Sequence, residues 1–287
     1  MWQDYYRPRT LAEALEILAS HNGEARVIAG GTDLVLDLKK GNKQARYLVD
    51  IRNIPGMETI EEQGDKLYLG AGVTHTRAAT SELIKEKATA LAQAAVQVGS
   101  LQVRNVGTVI GNIVNAQPAA DTAVALVALG ATVEIVYIDG SKEVIPVEEL
   151  YAGPGKSKVD STRSIVMGLY IPVRPGRKSV FKRIARRKAL ALPVLNVAAA
   201  LILEEGVIKE ISIAAGPIGP QPVRLKEVEQ VLHGKKPTSE IIDEAAQVAA
   251  EVAQPRESIL RGSREYRKEL LGFLIRRVLT EVTEEVM

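Results

Sequence analysis

The chain has 287 residues, enough for two domains, and its 37 basic against 35 acidic residues leave a net charge of only +2. That balance gives no electrostatic argument for a nucleic-acid partner. There is no cysteine, and the three histidines show no metal-ligand spacing, so we expect an organic cofactor here and any metal centre on another chain.

The first 55 residues read as one lobe with alternating strands and helices. A helix over 10–20 begins with Thr10 and Glu13 as a capping box. A strand over 25–29 runs into a double glycine, and the helix after it is expected to end at Gly41. A second strand covers 46–51, which completes a βαβ-like unit.

The next segment, residues 56–176, combines hairpins with helices. We expect one hairpin turn at 63–65 and another at 139–141, where glycine follows or precedes aspartate. Helices are predicted over 75–85, 86–99 and 119–129, and a final strand ends at Pro172.

The linker is placed at 173–179, because this stretch is rich in proline, glycine and charge. Strands are predicted over 180–186, 194–204 and 207–216. From Leu225 onward the pattern is helical, with Ser239 and Ser263 as N-cap candidates. The C-terminal third therefore predicts a three-stranded sheet with helices.

Two glycine-centred loops are the most informative motifs. The first is AGGTDL, residues 29–34, and the second is GTVIGNIVNAQPAAD, residues 107–121. Glycine leaves backbone N–H groups uncovered, so a pyrophosphate can approach closely. Either loop alone could be an ordinary tight turn. Together they predict one extended, phosphate-bearing ligand held from two sides.

Several polar residues near these loops have both an ordinary and a functional interpretation. Asp121 begins a helix, where an acid needs no function, yet its carboxylate could accept hydrogen bonds from sugar hydroxyls. His75 is more typical of a helix start than of a catalytic base. The basic residues of the 182–188 stretch are usually solvated; the alternative is a cationic partner for a reduced flavin.

We expect a cytoplasmic location. No apolar run reaches the length of about 20 residues needed to cross a bilayer, and the opening MWQDYYRPRT lacks the basic-then-apolar pattern of a signal peptide.

Four segments occur in an order that resembles a known family: YRPRTLAEALEILA, VIAGGTDL, the second glycine loop, and FKRIARRKALALPVLNVAAAL. They resemble the FAD-binding medium subunit of molybdenum hydroxylases, the family of aerobic carbon monoxide dehydrogenase, bacterial xanthine dehydrogenases and nicotinate dehydrogenase. The likeness covers nearly the whole chain.

The resemblance implies an α+β fold in two domains. An FAD-binding domain similar to vanillyl-alcohol oxidase would cover 1–176, with lobes 1–55 and 56–176, and a C-terminal domain of medium-subunit type would cover 177–287. It also implies FAD contacts from both loops, from an aspartate facing the ribityl chain, from a strand before the linker and from a lysine near the flavin ring. On this sequence these contacts are Ala29, Gly30, Gly31, Thr32, Asp33, Gly107, Thr108, Gly111, Asn112, Asp121, Ile165 and Lys182.

Two positions depart from the family pattern. Ile110 stands where the second loop usually has a glycine, so its side chain is expected to point away from the phosphates, or the loop to shift. Leu192 stands where some members place a tyrosine beside the flavin ring.

The function implied is that of an electron-transfer subunit. Electrons would arrive from a small 2Fe–2S subunit and leave through FAD to NAD or another acceptor, while a large molybdenum-cofactor subunit hydroxylates the substrate. Two alternatives remain open: a stand-alone FAD-dependent oxidase, for which only His75 and a few tyrosines offer a base, and a scaffold subunit that has lost FAD, with Ile110 as its signature.

Overall fold

The computed structural model describes residues 2–187, 190–259 and 261–284. Its first lobe is a parallel sheet with two helices. Strand β3 lies between β1 and β2, and both pairs are parallel. The Thr10 hydroxyl accepts a hydrogen bond from the Glu13 amide, so the predicted cap is confirmed. The elements are β1 (Asp4–Tyr6), α1 (Leu11–Ser20), β2 (Ala25–Ile28), α2 (Leu34–Lys40) and β3 (Tyr47–Asp50).

The second lobe is built on a five-stranded antiparallel sheet in the order β4-β5-β10-β6-β7. Both predicted hairpins are present, β4–β5 and β6–β7. A two-stranded ribbon, β8–β9, stands beside the sheet. The strands are β4 (Ile60–Gln63), β5 (Lys66–Gly70), β6 (Thr132–Tyr137), β7 (Lys142–Pro146), β8 (Tyr151–Gly153), β9 (Lys156–Ser157) and β10 (Ser164–Pro172).

Short helices cover this sheet, and here the predicted boundaries were too long. Where two helices were expected over 75–99, there are three, because the Ser81 hydroxyl caps a new helix by accepting from the Ile84 amide, and Ala88 leaves the helical conformation. The helices are α3 (His75–Thr80), α4 (Glu82–Lys87), α5 (Thr89–Ala95), α6 (Leu101–Arg104), α7 (Val109–Val114) and α8 (Asp121–Ala128).

The C-terminal sheet has four strands, so the prediction of three was wrong. The added strand has two residues, too few to show an alternating pattern in the sequence. The four strands pair antiparallel in chain order. They are β11 (Lys178–Ala185), β12 (Pro193–Glu204), β13 (Val207–Gly216) and β14 (Val223–Arg224).

In the part of the C-terminal segment that the structure describes, three helices follow: α9 (Lys226–Leu232), α10 (Ser239–Val252) and α11 (Arg264–Glu284). The cap of α10 is Thr238 rather than the predicted Ser239, because the Thr238 hydroxyl accepts from the Ile241 amide. The Ser263 hydroxyl accepts from the Tyr266 amide, as expected of a cap. None of the described helices is both long and apolar enough to cross a membrane.

Strand β12 joins the two halves of the protein, because both of its faces are buried. Ala198 and Ala200 pack into the core shared with the second lobe, whereas Val197 and Leu201 pack under the C-terminal helices. Alternate side chains of a strand point to opposite faces, so β12 serves both cores. This packing holds the start of β12 and the end of β11 against the second glycine loop.

Candidate functional site

The two glycine loops lie against each other. A Cβ atom added to Gly30 would lie 2.1 Å from the carbonyl oxygen of Val106 and 2.8 Å from the Cα of Gly107. Only a hydrogen fits there, so the backbones of the two loops are in direct contact. The sequence expectation that both loops serve one ligand therefore has a geometric basis.

The first loop presents a row of backbone amides to the groove. The amides of residues 30–33 make no hydrogen bond to any described residue, although the Gly31 carbonyl accepts from the Val35 amide. Successive unpaired backbone N–H groups form a concavity suited to an anion. This row fits a phosphate group without any basic side chain.

The second loop is held rigidly in place. The His75 amide donates to the Gly107 carbonyl, and the Val109 amide donates to the Val73 carbonyl, both at 3.0 Å. The Thr108 hydroxyl accepts from the Gly111 amide at 2.9 Å and so caps α7. The loop is thereby fixed before any ligand arrives.

A groove of about 850 Å³ runs along both loops. That volume lies in the range of cofactor pockets. The far wall comes from the C-terminal sheet: Arg183 of β11 and the stretch 191–193 leading into β12. Ten predicted site residues line the groove: Ala29, Gly30, Gly31, Thr32, Asp33, Gly107, Thr108, Gly111, Asn112 and Asp121.

The other two predicted contacts lie outside this lining. Ile165 is fully buried in β10. Lys182 directs its ammonium to Glu281 of α11, at 2.7 Å, on the opposite side of β11 from the groove. The structure thus does not bring these two residues together with the other ten.

Asp121 is the buried acid of the groove, and both of its oxygens already accept hydrogen bonds. Arg183 donates from Nη1 to Oδ2 at 2.6 Å, and Asn196 donates from Nδ2 to Oδ1 at 2.7 Å. Burial raises the pKa of Asp121, while the charge of Arg183 and these hydrogen bonds act against that rise. Each carboxylate oxygen can accept once more, so a sugar hydroxyl still finds an acceptor.

Sequence reasoning missed Asn196 entirely and saw Arg183 only as one of a group of charges. Asn196 is 75 residues from Asp121 along the chain. The one signal available for Arg183 was the alternation of side chains along β11, which places Lys182 and Arg183 on opposite faces of the sheet. Lys188, at the end of that group, lies outside the described residues.

His75 lines the groove at the start of α3 and is almost fully buried, with a relative exposure of 3%. Its Nδ1 is buried and has no hydrogen-bond partner among the described residues. Burial and, secondarily, the charge of Arg104 lower the pKa of His75 to about 4. The imidazole is therefore neutral near pH 7.

Ile110 points away from the groove. Its side chain is 5% exposed and packs in the core cluster shared by the two lobes. Of the two outcomes expected for Ile110, a side chain turned away or a shifted loop, the structure shows a side chain turned away from the groove, while Gly111 and Asn112 of α7 line it. Leu192, in contrast, lines the groove and is 70% exposed.

This orientation gives a testable expectation for Ile110→Val. Removing one buried methylene costs about 1 kcal/mol of unfolding free energy, whereas the affinity of the folded chain for FAD is expected to stay the same. Urea unfolding and flavin titration measure the two quantities separately. A marked loss of affinity in the folded variant would show that Ile110 shapes the phosphate site after all.

These features fit FAD. The amides of residues 30–33, which have no partner among the described residues, suit a pyrophosphate. The contact of Gly30 with Val106 and Gly107 brings both loops to one groove, and Asp121 offers an acceptor for hydroxyl groups. No part of that fit depends on Ile165 or Lys182.

Comparison with known proteins agrees. Residues 2–174 match the model described as the FAD binding domain in molybdopterin dehydrogenase, and residues 180–282 match the CO dehydrogenase flavoprotein C-terminal domain. The chain is 31% identical to the glyceraldehyde dehydrogenase medium chain of Sulfolobus acidocaldarius, over 97% of both chains. It is 30% identical to the putative xanthine dehydrogenase FAD-binding subunit of Escherichia coli, over 96% of this chain and 94% of the relative.

The fold agrees as well. The solved structure of reconstituted CO dehydrogenase from Oligotropha carboxidovorans superposes on this chain with a TM-score of 0.90 and 25% identity, over 98% of this chain and 97% of the other. Sequence, groove and fold lead to one conclusion: the chain belongs to the FAD-binding medium subunits of the molybdenum hydroxylases, the family of xanthine and carbon monoxide dehydrogenases.

Proposed function

We propose that this chain is the electron-transfer subunit of a three-part enzyme and that it holds FAD in the groove between the glycine loops. Its electrons come from a small 2Fe–2S subunit and leave to NAD or another acceptor, while a large molybdenum-cofactor subunit carries out the hydroxylation. The observation that carries the proposal is the backbone contact of Gly30 with Val106 and Gly107, which joins both loops into one site. When bound, FAD supplies a carrier of two electrons.

The residues of the groove have distinct roles in this proposal. The amides of residues 30–33 bind the pyrophosphate, with Thr108 and Gly111 fixing the opposite side. Asp121 orients the polyol chain through its remaining lone pairs. We propose further that the division between FAD-binding and C-terminal domains falls at residue 176, within the segment linking β10 to β11.

The composition supports a division of labour with other chains. The sequence contains no cysteine with which to hold an iron–sulfur cluster. Two relatives are named "medium chain" and "FAD-binding subunit", and these names describe them as parts of larger assemblies. We transfer that arrangement to this protein as part of the proposal.

The structure gives less support to the two alternatives. A stand-alone oxidase needs a base, and His75, with a pKa of about 4, is a weak proton acceptor near pH 7. A scaffold that has lost FAD was suggested by Ile110, whose side chain packs in the core and leaves the groove open.

Purification of the tagged chain from its source tests the proposal. We expect it to bring down two companion chains, one larger and one smaller, together with molybdenum and iron measured by elemental analysis. The same chain produced alone is the control, and it should bind FAD but carry neither metal. A metal-free single chain that hydroxylated a substrate by itself would contradict the proposal.

A further inference from the structure

The end of β11 places two adjacent basic side chains on opposite faces of the sheet. Lys182 faces α11, where it pairs with Glu281 at 2.7 Å. Arg183 faces the groove and lines it, with only 7% of its side chain exposed. Of the two neighbours, the one that a groove ligand can meet is therefore Arg183.

Arg183 is fixed in direction by its partners. Its Nη1 donates to Asp121 Oδ2 at 2.6 Å and to the Ala191 carbonyl at 3.3 Å. Asn196 holds the other oxygen of Asp121, so the carboxylate itself cannot rotate freely. A guanidinium held in this way has lost its rotamer freedom before a ligand binds.

Nε and Nη2 are the other two nitrogens of the Arg183 guanidinium, and together they carry three N–H donors. Neither nitrogen makes a hydrogen bond to the described residues. Arginine stays charged and presents its donors in a planar fork. A buried guanidinium on the wall of this groove, with donors that have no partner among residues 2–187, 190–259 and 261–284, can bind an oxygen acceptor of an anionic ligand.

We propose that Arg183 is a direct FAD ligand, donating from Nε or Nη2 to an oxygen atom of the cofactor. This inference rests on the proposed placement of FAD in the groove. The competing explanation is that Arg183 only neutralises the buried charge of Asp121. The two differ in one respect: a direct ligand matters even when Asp121 no longer carries a charge.

A double-mutant cycle on the full chain separates the two explanations. The variants are Asp121→Asn, Arg183→Met and the double variant, each freed of flavin and titrated with FAD by fluorescence quenching. Arg183→Met alone leaves Asp121 buried without its counter-charge and can fail to fold. The double variant removes that charge, so the comparison of the double variant with Asp121→Asn decides the question.

We expect the double variant to bind FAD at least ~10-fold more weakly than Asp121→Asn, as for the loss of a hydrogen bond from a charged donor. Equal affinities of these two variants would overturn the inference and reduce Arg183 to a partner of Asp121. Circular dichroism checks that all variants compared are folded. Lys178→Met, an exposed position at the other end of β11, is the matched control and should bind FAD like the unchanged chain.

The outcomes also separate this inference from the proposed function. If the unchanged chain fails to bind FAD, the proposed function itself fails. If it binds FAD and the double variant equals Asp121→Asn, only the role of Arg183 is lost.

Discussion

Gly30→Ala is expected to weaken FAD binding by ~100-fold or more while the chain stays folded. The new methyl group would lie 2.1 Å from the Val106 carbonyl oxygen and 2.8 Å from the Gly107 Cα. Both neighbours are backbone atoms and cannot swing aside, so the loops must separate. Overpacking of this kind costs about 3 kcal/mol, and each 1.4 kcal/mol corresponds to about a tenfold change in affinity.

The measurement is a flavin titration of the purified apo chain, with circular dichroism to confirm folding. Gly64→Ala is the control: this glycine has φ +62° in the β4–β5 turn, and nothing lies within 4 Å of its added Cβ. That variant should lose about 1 kcal/mol of stability from backbone strain and keep its FAD affinity. A Gly30→Ala chain with unchanged affinity would show that the loop contact is irrelevant to the cofactor.

Gly31 would be a less informative choice for the same test. Its φ is +67°, and an added Cβ would meet the Ile28 side chain at 2.9 Å. A substitution there strains the backbone and the core of the first lobe together, so a loss of FAD could be attributed to either.

The sequence was sufficient to find the two glycine loops, which the structure brings into contact along one groove. Glycine pairs that follow a short apolar run have few structural interpretations. The second strand of each hairpin is recognised from its alternating apolar residues and from the turn residues before it. The hairpin at Gly64 and the long strands β12 and β13 were found in the same way. These features are local, which is why local patterns predict them.

The features that the sequence could not supply depend on which face of an element is buried. Lys182 and Arg183 are adjacent basic residues, and only the register of β11 against β12 decides that Arg183 meets Asp121. Ile110 could have faced the phosphates or the core, and the rotation of α7 about its axis settles that choice. The pairing of Asn196 with Asp121 joins two distant segments and leaves no local trace.

Lowering the pH from about 7 to about 4 is expected to remove roughly 3 kcal/mol of stability through His75 alone. In the folded chain the pKa of His75 is lowered from 6.5 to about 4, first by burial and then by the charge of Arg104. Each pKa unit of such a shift corresponds to about 1.4 kcal/mol. Between these two pKa values the unfolded chain binds a proton that the folded chain does not, so acid favours unfolding and stability rises with pH.

The variant His75→Gln isolates this contribution, because glutamine does not titrate and the other acidic and basic groups are unchanged. Its unfolding free energy, from urea curves between about pH 4 and pH 7, should fall with acid by roughly 3 kcal/mol less than that of the unchanged chain. His233→Gln is the control for the exchange of histidine for glutamine, since His233 is exposed. Parallel profiles for His75→Gln and the unchanged chain would mean that the imidazole can take up a proton in the folded groove. In that case water reaches the first residues of α3. The hydrogen bond from the His75 amide to the Gly107 carbonyl would then hold the second glycine loop less rigidly than the burial of His75 implies.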